Sequence, residues 1–340
     1  MVQADIGNGN GGAEMRPSGS RVRRLLERWR DDRGIWRRGT VLAACAVFIA
    51  LLMILHAQIP NRIGNLGSLS ETFLPWFGVF IPVLIAAALW RRSATALIAV
   101  LLPLVVWLNL FGGLLTGKSA ASGGDLTVAT HNVNADNPDP TGTAKAVAAS
   151  GADVLALQEL PAGQVETYER ALADTYKYHS VQGTVGLWSK YPMSGTEPVD
   201  IRMGWTRAMR STVATPDGEV AVYVAHMPSV RVKLHAGFTA NQRDNSADEL
   251  GEAIARESVG KVVLLGDLNG TMNDRSLNAV TSQMRSTQGA AGDGFGFSWP
   301  ASFPMARIDQ IMVKGVEPVS SWTLPRTDSD HLPIAASVSL

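Results

Sequence analysis

Lys261-Val-Val-Leu-Leu-Gly-Asp-Leu-Asn269, followed by Gly270-Thr-Met-Asn-Asp274, decides how the carboxy-terminal part of this chain folds. Val262 to Leu265 form an uninterrupted apolar run, the pattern of a strand buried on both faces. Gly266 ends it, and Asp267 and Asn269 stand together at its mouth. Residues two apart on a strand share a side, so the carboxylate and the amide face one pocket. A buried strand that delivers polar groups to its open end is how α/β enzymes build sites. Gly, Asp and Asn are also ordinary turn residues, so the reading depends on what flanks the stretch.

On both sides the chain reads as alternating α/β. Strands are expected at Leu126–Thr130, Val154–Gln158, Val185–Ser189, Ser211–Thr215, Val220–Ala225, Ile308–Val313 and Ile334–Ser339. Pro216-Asp217-Gly218 marks a hairpin turn between the fourth and fifth of these. Helices are expected at Thr141–Ser150, Gly163–Ala173 and Asn241–Glu257, and residues 286–304 form a Gly-rich aromatic loop carrying Phe295, Phe297 and Trp299. These rings either dip into a membrane interface or pack the loop onto the core.

Polar residues collect at or near the strand ends: Asn132, Glu159, His226, Asp267, Asn269, Asp309, Asp330 and His331. Carboxylates and amides are hard oxygen ligands, suited to magnesium or manganese. The set holds two histidines and no cysteine, which argues against structural zinc. Divalent metal, carboxylates and histidine together suit phosphoryl transfer. Taken singly, Asp309 or Asp330 reads equally well as a turn or capping carboxylate, and Asn132 as a turn cap. Arg207, Arg210 and Arg243 read either as phosphate grips or as surface ion pairs, and His131 and His235 as structural or surface histidines.

Six motifs stand in order: Thr-His-Asn-Val-Asn (130–134), Asp-Val-Leu-Ala-Leu-Gln-Glu (153–159), Val-Ala-His-Met-Pro (224–228), Leu-Gly-Asp-Leu-Asn (265–269), Arg-Ile-Asp-Gln-Ile (307–311) and Ser-Asp-His-Leu-Pro (329–333). In this order they resemble the endonuclease/exonuclease/phosphatase superfamily, which includes deoxyribonuclease I, abasic-site endonucleases, sphingomyelinases and inositol polyphosphate phosphatases. The resemblance implies two packed mixed β-sheets flanked by helices, a four-layer α/β sandwich. It also implies that Glu159 is the principal metal ligand, with Asn132 beside it and Asp330 near the metal. Asp267 would orient or deprotonate the attacking water, and Asn269 would place the phosphate. His331, held by Asp309, would contact the scissile phosphate, and His226 would assist the leaving group. Asn134 departs from the abasic-site endonucleases, which carry an aspartate there, so a DNA-repair role is weakened.

The amino-terminal part has a different texture. Residues 1–20 have the composition of a disordered tail. Arg21, Arg23, Arg24, Arg28, Arg30, Arg33, Arg37 and Arg38 then precede an apolar run. Three such runs follow, Thr40–Gln58, Phe73–Trp90 and Ala94–Leu115, each near the ~20 residues that span a bilayer. Arginines before the first run and at Arg91-Arg92, against Arg62 alone in the loop between the first two, place the amino terminus in the cytoplasm. The expected arrangement is a cytoplasmic segment (1–38), three transmembrane helices (39–116), a flexible linker (117–124) and an extracytoplasmic catalytic domain (125–340). Cys45, the single cysteine, sits within the first run, so no intrachain disulfide forms.

Lys and Arg together equal Asp and Glu at 30 each, so charge does not select a polyanion, and nucleic acid is not an expected partner. No protein partner is predicted. Anchor and domain together also resemble actinobacterial membrane proteins associated with vancomycin or teichoplanin resistance. That resemblance implies a lipid-linked pyrophosphate of cell-wall synthesis as substrate. An extracytoplasmic nuclease and a sphingomyelinase-like phosphodiesterase are the competing readings.

Overall fold

The computed structural model describes residues 34–61, 65–118, 123–229, 231–233, 237–239 and 241–340. The expected amino-terminal tail, the arginines from Arg21 to Arg33, Arg62 and His235 lie outside the described residues.

The first apolar run forms α1 (Thr40–Ile54), the expected loop after it contributes α2 (Leu66–Thr72), and the other two runs form α3 (Phe80–Trp90) and α4 (Ala94–Phe111). Ser93 starts α4 by accepting the Ala96 N–H on its Oγ at 3.1 Å. Ala46, Ala50, Ala88 and Ala96 are fully buried, small side chains that let helix backbones approach closely. Phe48, Val83, Ile98 and Val105 are exposed on the outside of the bundle.

The expectation of three spans is corrected here. By length and composition, Ala94–Leu114 is the one helix able to cross a membrane by itself among the described residues. Leu66–Thr72 and Leu74–Trp90 qualify only as a pair, bent by 68° at their break, and Thr40–Ile54 is shorter. Pro75 lies in the first turn of the 3-10 segment Leu74–Val79; lacking an N–H, it blocks a continuous α-helix through the break. The first run leaves the α-helix at Leu55 and tightens into a 3-10 turn, His56–Gln58.

The remainder is two six-stranded sheets. In chain order the elements are β1 (Leu126–Asn132), α5 (Pro140–Ala148), β2 (Val154–Gln158), α6 (Val165–Leu172), β3 (Tyr178–Gln182), β4 (Val185–Ser189), β5 (Met193–Pro198), β6 (Ala208–Thr215) and β7 (Gly218–His226). They continue with β8 (Arg231–Lys233), β9 (Gly237–Thr239), α7 (Asn241–Ala255), β10 (Val262–Asp267), α8 (Asn278–Thr281), β11 (Arg285–Ser286), α9 (Thr287–Ala291), β12 (Asp309–Lys314), β13 (Glu317–Thr323) and β14 (Ile334–Ser339). One sheet runs β13-β14-β1-β2-β4-β3 and the other β11-β12-β10-β7-β6-β5, while β8 and β9 pair separately. Both large sheets are mixed: β1 and β2 pair in parallel, as do β7 and β10, inside otherwise antiparallel order.

Leu126, Val128 and Val154 of the first sheet pack on Val222, Val263 and Leu265 of the second, forming the core between them. Outside, Val262 and Leu264 meet Leu250 and Ile254 of α7, and Leu155 and Leu157 meet Val147 of α5 and Leu172 of α6. The order is helix, sheet, sheet, helix. β10 is therefore apolar at every residue from 262 to 265 because both of its faces are covered.

The two parts of the chain are pinned together. Glu71, fully buried, accepts from Arg275 Nε at 2.9 Å, and Arg275 also donates to the carbonyls of His56 and Ile59. Trp76 Nε1 donates to Met305 O at 2.8 Å, and its ring stacks on Phe297 at 5.9 Å. Phe295 packs against Trp107 and Phe111. Two of the loop aromatics thus pack on the helical bundle rather than on the domain's own core. Lys118 N donates to Asp293 Oδ1 at 2.7 Å, which ties one end of the expected linker.

Candidate active site

Strand register builds the site. Asp267 ends β10 in direct register with His226 on β7 and with Asp309 on β12, so one row across three strands carries imidazole, carboxylate and carboxylate. Gly266 is required next to it: its φ is +148°, and a Cβ there would collide with the Ala225 carbonyl oxygen. From the facing sheet, β1 ends at Asn132 in register with Gln158, immediately before Glu159. Glu159 and Asn269 both sit at positive φ, 61° and 47°. Left-handed backbone at non-glycine residues costs on the order of 1 kcal/mol each and concentrates at functional sites.

Asp267 is buried and accepts three N–H bonds. Its Oδ1 accepts from Asn269 N at 2.8 Å. Its Oδ2 accepts from Asn132 Nδ2 at 3.0 Å and from Asn269 Nδ2 at 3.1 Å. Burial raises its carboxyl to about 7, with Asp309 adding repulsion and the charge of His331 opposing. His331 Nδ1 lies 2.8 Å from Asp309 Oδ2. Burial works against a charged ring there, but Asp309 and Asp267 outweigh it and hold His331 up at about 10. His331 is accordingly an imidazolium at neutral pH, with Nδ1–H donating to Asp309 and Nε2–H 3.9 Å from Asp267 Oδ2. Ser298 Oγ accepts from Asp309 N, and Ser329 Oγ accepts from His331 N while donating to Asn132 O, which ties both sheets to the pair.

His226 is the opposite case. Its Nε2 accepts from Arg207 Nη2, and burial, followed by the charges of Arg207 and His331, pushes its pKa well below 6.5. The ring is neutral, so its 3.4 Å approach to Glu159 Oε1 is a polar contact and not an ion pair. Of the three arginines weighed as phosphate grips, only Arg207 reaches the site. Arg210 pairs with Glu257 at 2.9 Å on the far side of sheet two. Arg243 is buried against Asp274 at 2.7 Å and donates to Asn269 O at 2.8 Å, bracing the loop that carries Asn269. His131 is buried, with Nε2 on Thr327 Oγ1, as expected of a structural histidine.

Glu159, Asp267, Asn269, Asp330 and His331 line one cavity of ≈ 350 Å³. Asp309 lies behind His331, Asn132 beneath Asp267, and His226 beside Glu159. All eight residues singled out from the sequence therefore converge. Two details differ from expectation. Both N–H groups of Asn269 are engaged by Asp267 and Met227 O, so its amide holds Asp267 rather than facing a phosphate. Asn132 Oδ1 already accepts from Asn134 N, leaving one lone pair. Trp299, from the aromatic loop singled out in the sequence, also lines the cavity, while the sequence reading missed Thr72 and Phe73 on its wall and Ser298 and Ser329 behind it. Nothing in the local pattern of 72–73 signals a place in a site built by strands far along the chain.

The donor set fits a hard divalent cation: carboxylate oxygens of Glu159, Asp267 and Asp330 share the cavity, and no thiol is near. Asp309 Oδ1 is buried without a donor. Ligand atoms of Asp267, Asp309 and His331 lie within 4.8 Å of one another. In that trio, however, His331 Nδ1 is hydrogen-bonded to Asp309 and its Nε2 stands 3.9 Å from Asp267, so the ring is engaged by carboxylates on both sides and the open carboxylates are the better cation ligands.

A four-layer sandwich with carboxylates and a charged histidine at its sheet ends defines a metal-dependent hydrolase of phosphoric esters. Residues 129–331 match the Endonuclease/Exonuclease/phosphatase family, and the chain belongs to it. No curated protein matches the chain. Among solved structures, it is similar to an endonuclease/exonuclease/phosphatase from Beutenbergia cavernae, at 21% identity and TM-score 0.52, over 64% of this chain and 72% of that one. It is also similar to D. rerio TDP2 complexed with a single-strand DNA product, at 17% identity and TM-score 0.54, over 63% and 99%. A third is a Staphylococcus aureus beta toxin mutant with bound magnesium ions, at 17% identity and TM-score 0.50, over 64% and 100%. At these identities the likeness is one of fold.

Proposed function

We propose that this chain is a membrane-anchored, magnesium- or manganese-dependent phosphohydrolase acting outside the cytoplasm on a lipid-linked pyrophosphate of cell-wall synthesis. One observation carries the lipid reading: Thr72 and Phe73, from the apolar amino-terminal bundle, form part of the wall of the catalytic cavity. The bundle that supplies this wall has an apolar outer surface, with Val105 and Phe48 about 60% exposed. Such a belt suits a bilayer. Ala94–Leu114 crosses it, and the bent pair and α1 pack alongside as the remaining membrane segments, with the amino terminus inside. An association with glycopeptide resistance follows from the same substrate and rests on the sequence resemblance.

Glu159 and Asp330, with the free lone pair of Asn132, would hold the cation, which when bound neutralises charge on the non-bridging phosphoryl oxygens. Asp267, poised near neutrality by burial, takes a proton from the attacking water or orients it. Asn132 and Asn269 keep its carboxylate aimed through three N–H bonds. His331 presents Nε2–H to the phosphoryl oxygen where negative charge grows, its charge secured by Asp309. Arg207, not the neutral His226, supplies positive charge on the leaving-group side.

The test is a parallel assay of the full chain on undecaprenyl pyrophosphate, sphingomyelin and plasmid DNA. Phosphate release from the first, with little turnover of the others, is expected. Robust DNA cleavage without phosphate release would replace the proposal with the nuclease reading. A phosphatase reporter fused after Gly124 should be active if the orientation holds, and inactivity there would reverse it.

A further inference from the structure

Behind the catalytic cavity lies a second one of ≈ 270 Å³, walled by Phe111 and Leu114 from the end of the first helical bundle and by Phe295 and Phe297 from the loop. The extended segment 306–308 separates the two: Ala306 and Ile308 line the catalytic cavity, while Arg307 lines this one. Arg307 is 6% exposed. Its Nη1 donates to Gly296 O at 2.7 Å, but Nε and Nη2 have no hydrogen-bond partner among the described residues. Gln288 and Gln310, on the same walls, each have a side-chain oxygen without a partner. No Asp or Glu lines the cavity among the described residues, and Asp309, whose charge favours the Arg307 cation, makes no hydrogen bond to it and has its Oδ2 on His331. A buried cation with unpaired donors is unfavourable unless something anionic meets them. Lys118 stands at the rim, exposed, with its Nζ donating to Gly289 O and further donors free to turn inward.

We infer that this cavity binds the phosphate headgroup of an amphiphile, apart from the catalytic site. The Nε and Nη2 edge of the buried Arg307 guanidinium holds two adjacent unpaired N–H donors, the fork that grips phosphate oxygens once the side chain turns toward the cavity. Lys118 closes on the phosphate from the rim. The chain of the amphiphile lies along Leu110, Phe111, Leu114 and Phe295, continuous with the apolar surface of the Ala94–Leu114 helix. Thr72 borders both cavities, so occupancy here braces the bundle residues that wall the catalytic cavity.

The test is native mass spectrometry of the full chain in detergent with a chelator present, so that hydrolysis is silent and only binding is read. The probes are dioleoyl phosphatidic acid, dioleoylglycerol and inorganic phosphate. One phosphatidic acid should stay bound per chain, and Arg307→Met and Lys118→Gln should each lower its retention roughly tenfold, the effect of one lost charge-assisted contact. Asp267→Asn should leave retention unchanged, since the catalytic cavity is not the one filled. Retention of the diacylglycerol as strong as that of phosphatidic acid, or saturation by inorganic phosphate alone, would overturn the assignment. So would wild-type retention in Lys118→Gln, which decides the matter by itself if Arg307→Met does not fold. Because the readout is binding without turnover, failure here leaves the catalytic reading standing, and the converse also holds.

Discussion

Replacing Asp309 by Asn isolates the charge that holds His331. The two groups are buried, with side-chain exposures of 1% and 7%, and lie 2.8 Å apart. His331 stands at about 10 against an ordinary 6.5, with burial opposing the charged ring and Asp309 foremost among the groups favouring it. At ~1.4 kcal/mol per pH unit, that rise is roughly 5 kcal/mol of preference for the imidazolium. Asparagine keeps the size and an acceptor oxygen but removes the foremost charge favouring the imidazolium, and burial then carries the pKa down against Asp267 and Asp330 alone. At about pH 8 the ring becomes mostly neutral, and turnover should fall by about 10²–10⁴-fold, the usual worth of a charged donor at a developing oxyanion. Near pH 5.5 the ring regains its proton, and the ratio of variant to wild-type turnover should recover to within roughly tenfold. The assay is kcat for both proteins from about pH 5 to 9, with the ring followed directly by nitrogen-detected histidine NMR. A ratio that stays flat across this range refutes the reasoning, because a merely structural loss has no cause to follow the imidazole titration.

Chelation should abolish turnover and magnesium or manganese restore it, while Glu159→Gln should raise the metal concentration needed by about 10–100-fold with the fold intact; an unchanged metal requirement would remove Glu159 from the ligand set. Glu71→Gln should loosen the bundle from the domain by about 2–3 kcal/mol, since it leaves Arg275 without its buried carboxylate, and faster hydrogen exchange in residues 270–277 is the check. Glu257 is held down at about 2: burial opposes this, but Arg210, the Val259 N–H and the Tyr223 hydroxyl outweigh it. A depressed carboxyl contributes stability above its unfolded value of 4.5, and that stability is lost as pH falls toward about 2. The melting-temperature gap between wild type and Glu257→Gln, worth about 1–2 kcal/mol after solvent screening, should therefore close in acid.

Strands buried on both faces were legible because an unbroken apolar run needs no partner to be read, as at Val262–Leu265 and Val154–Leu157. The edge strands β3, β5 and β13 were not. Tyr178–Gln182, Met193–Pro198 and Glu317–Thr323 expose much of their length, so polar residues dilute the alternation that would announce them. Glu257 and Arg210 look like ordinary surface charges along the chain, and only the pairing of β6 with β7, under the end of α7, brings them together.

From sequence alone came the strands buried on both faces, the main helices between them and the eight polar residues that meet at the strand ends, because local periodicity and short motifs are written into neighbouring positions. Which charge each group carries was a tertiary outcome. His226 and His331 are the same residue type, yet one is neutral against Arg207 and the other charged against Asp309, a difference set by partners 19 and 22 residues away. The length of the apolar runs suggested three spans; the break at Pro75 has a local cause, but the seating of Glu71 and Trp76 beside it on a domain some 200 residues further along is tertiary. The lining of the catalytic cavity by Thr72 and Phe73, and the unpartnered Arg307 behind it, arise only when those distant segments pack. Long-range contacts of this kind leave no periodic trace in the chain, because each side of the interface satisfies its own local pattern.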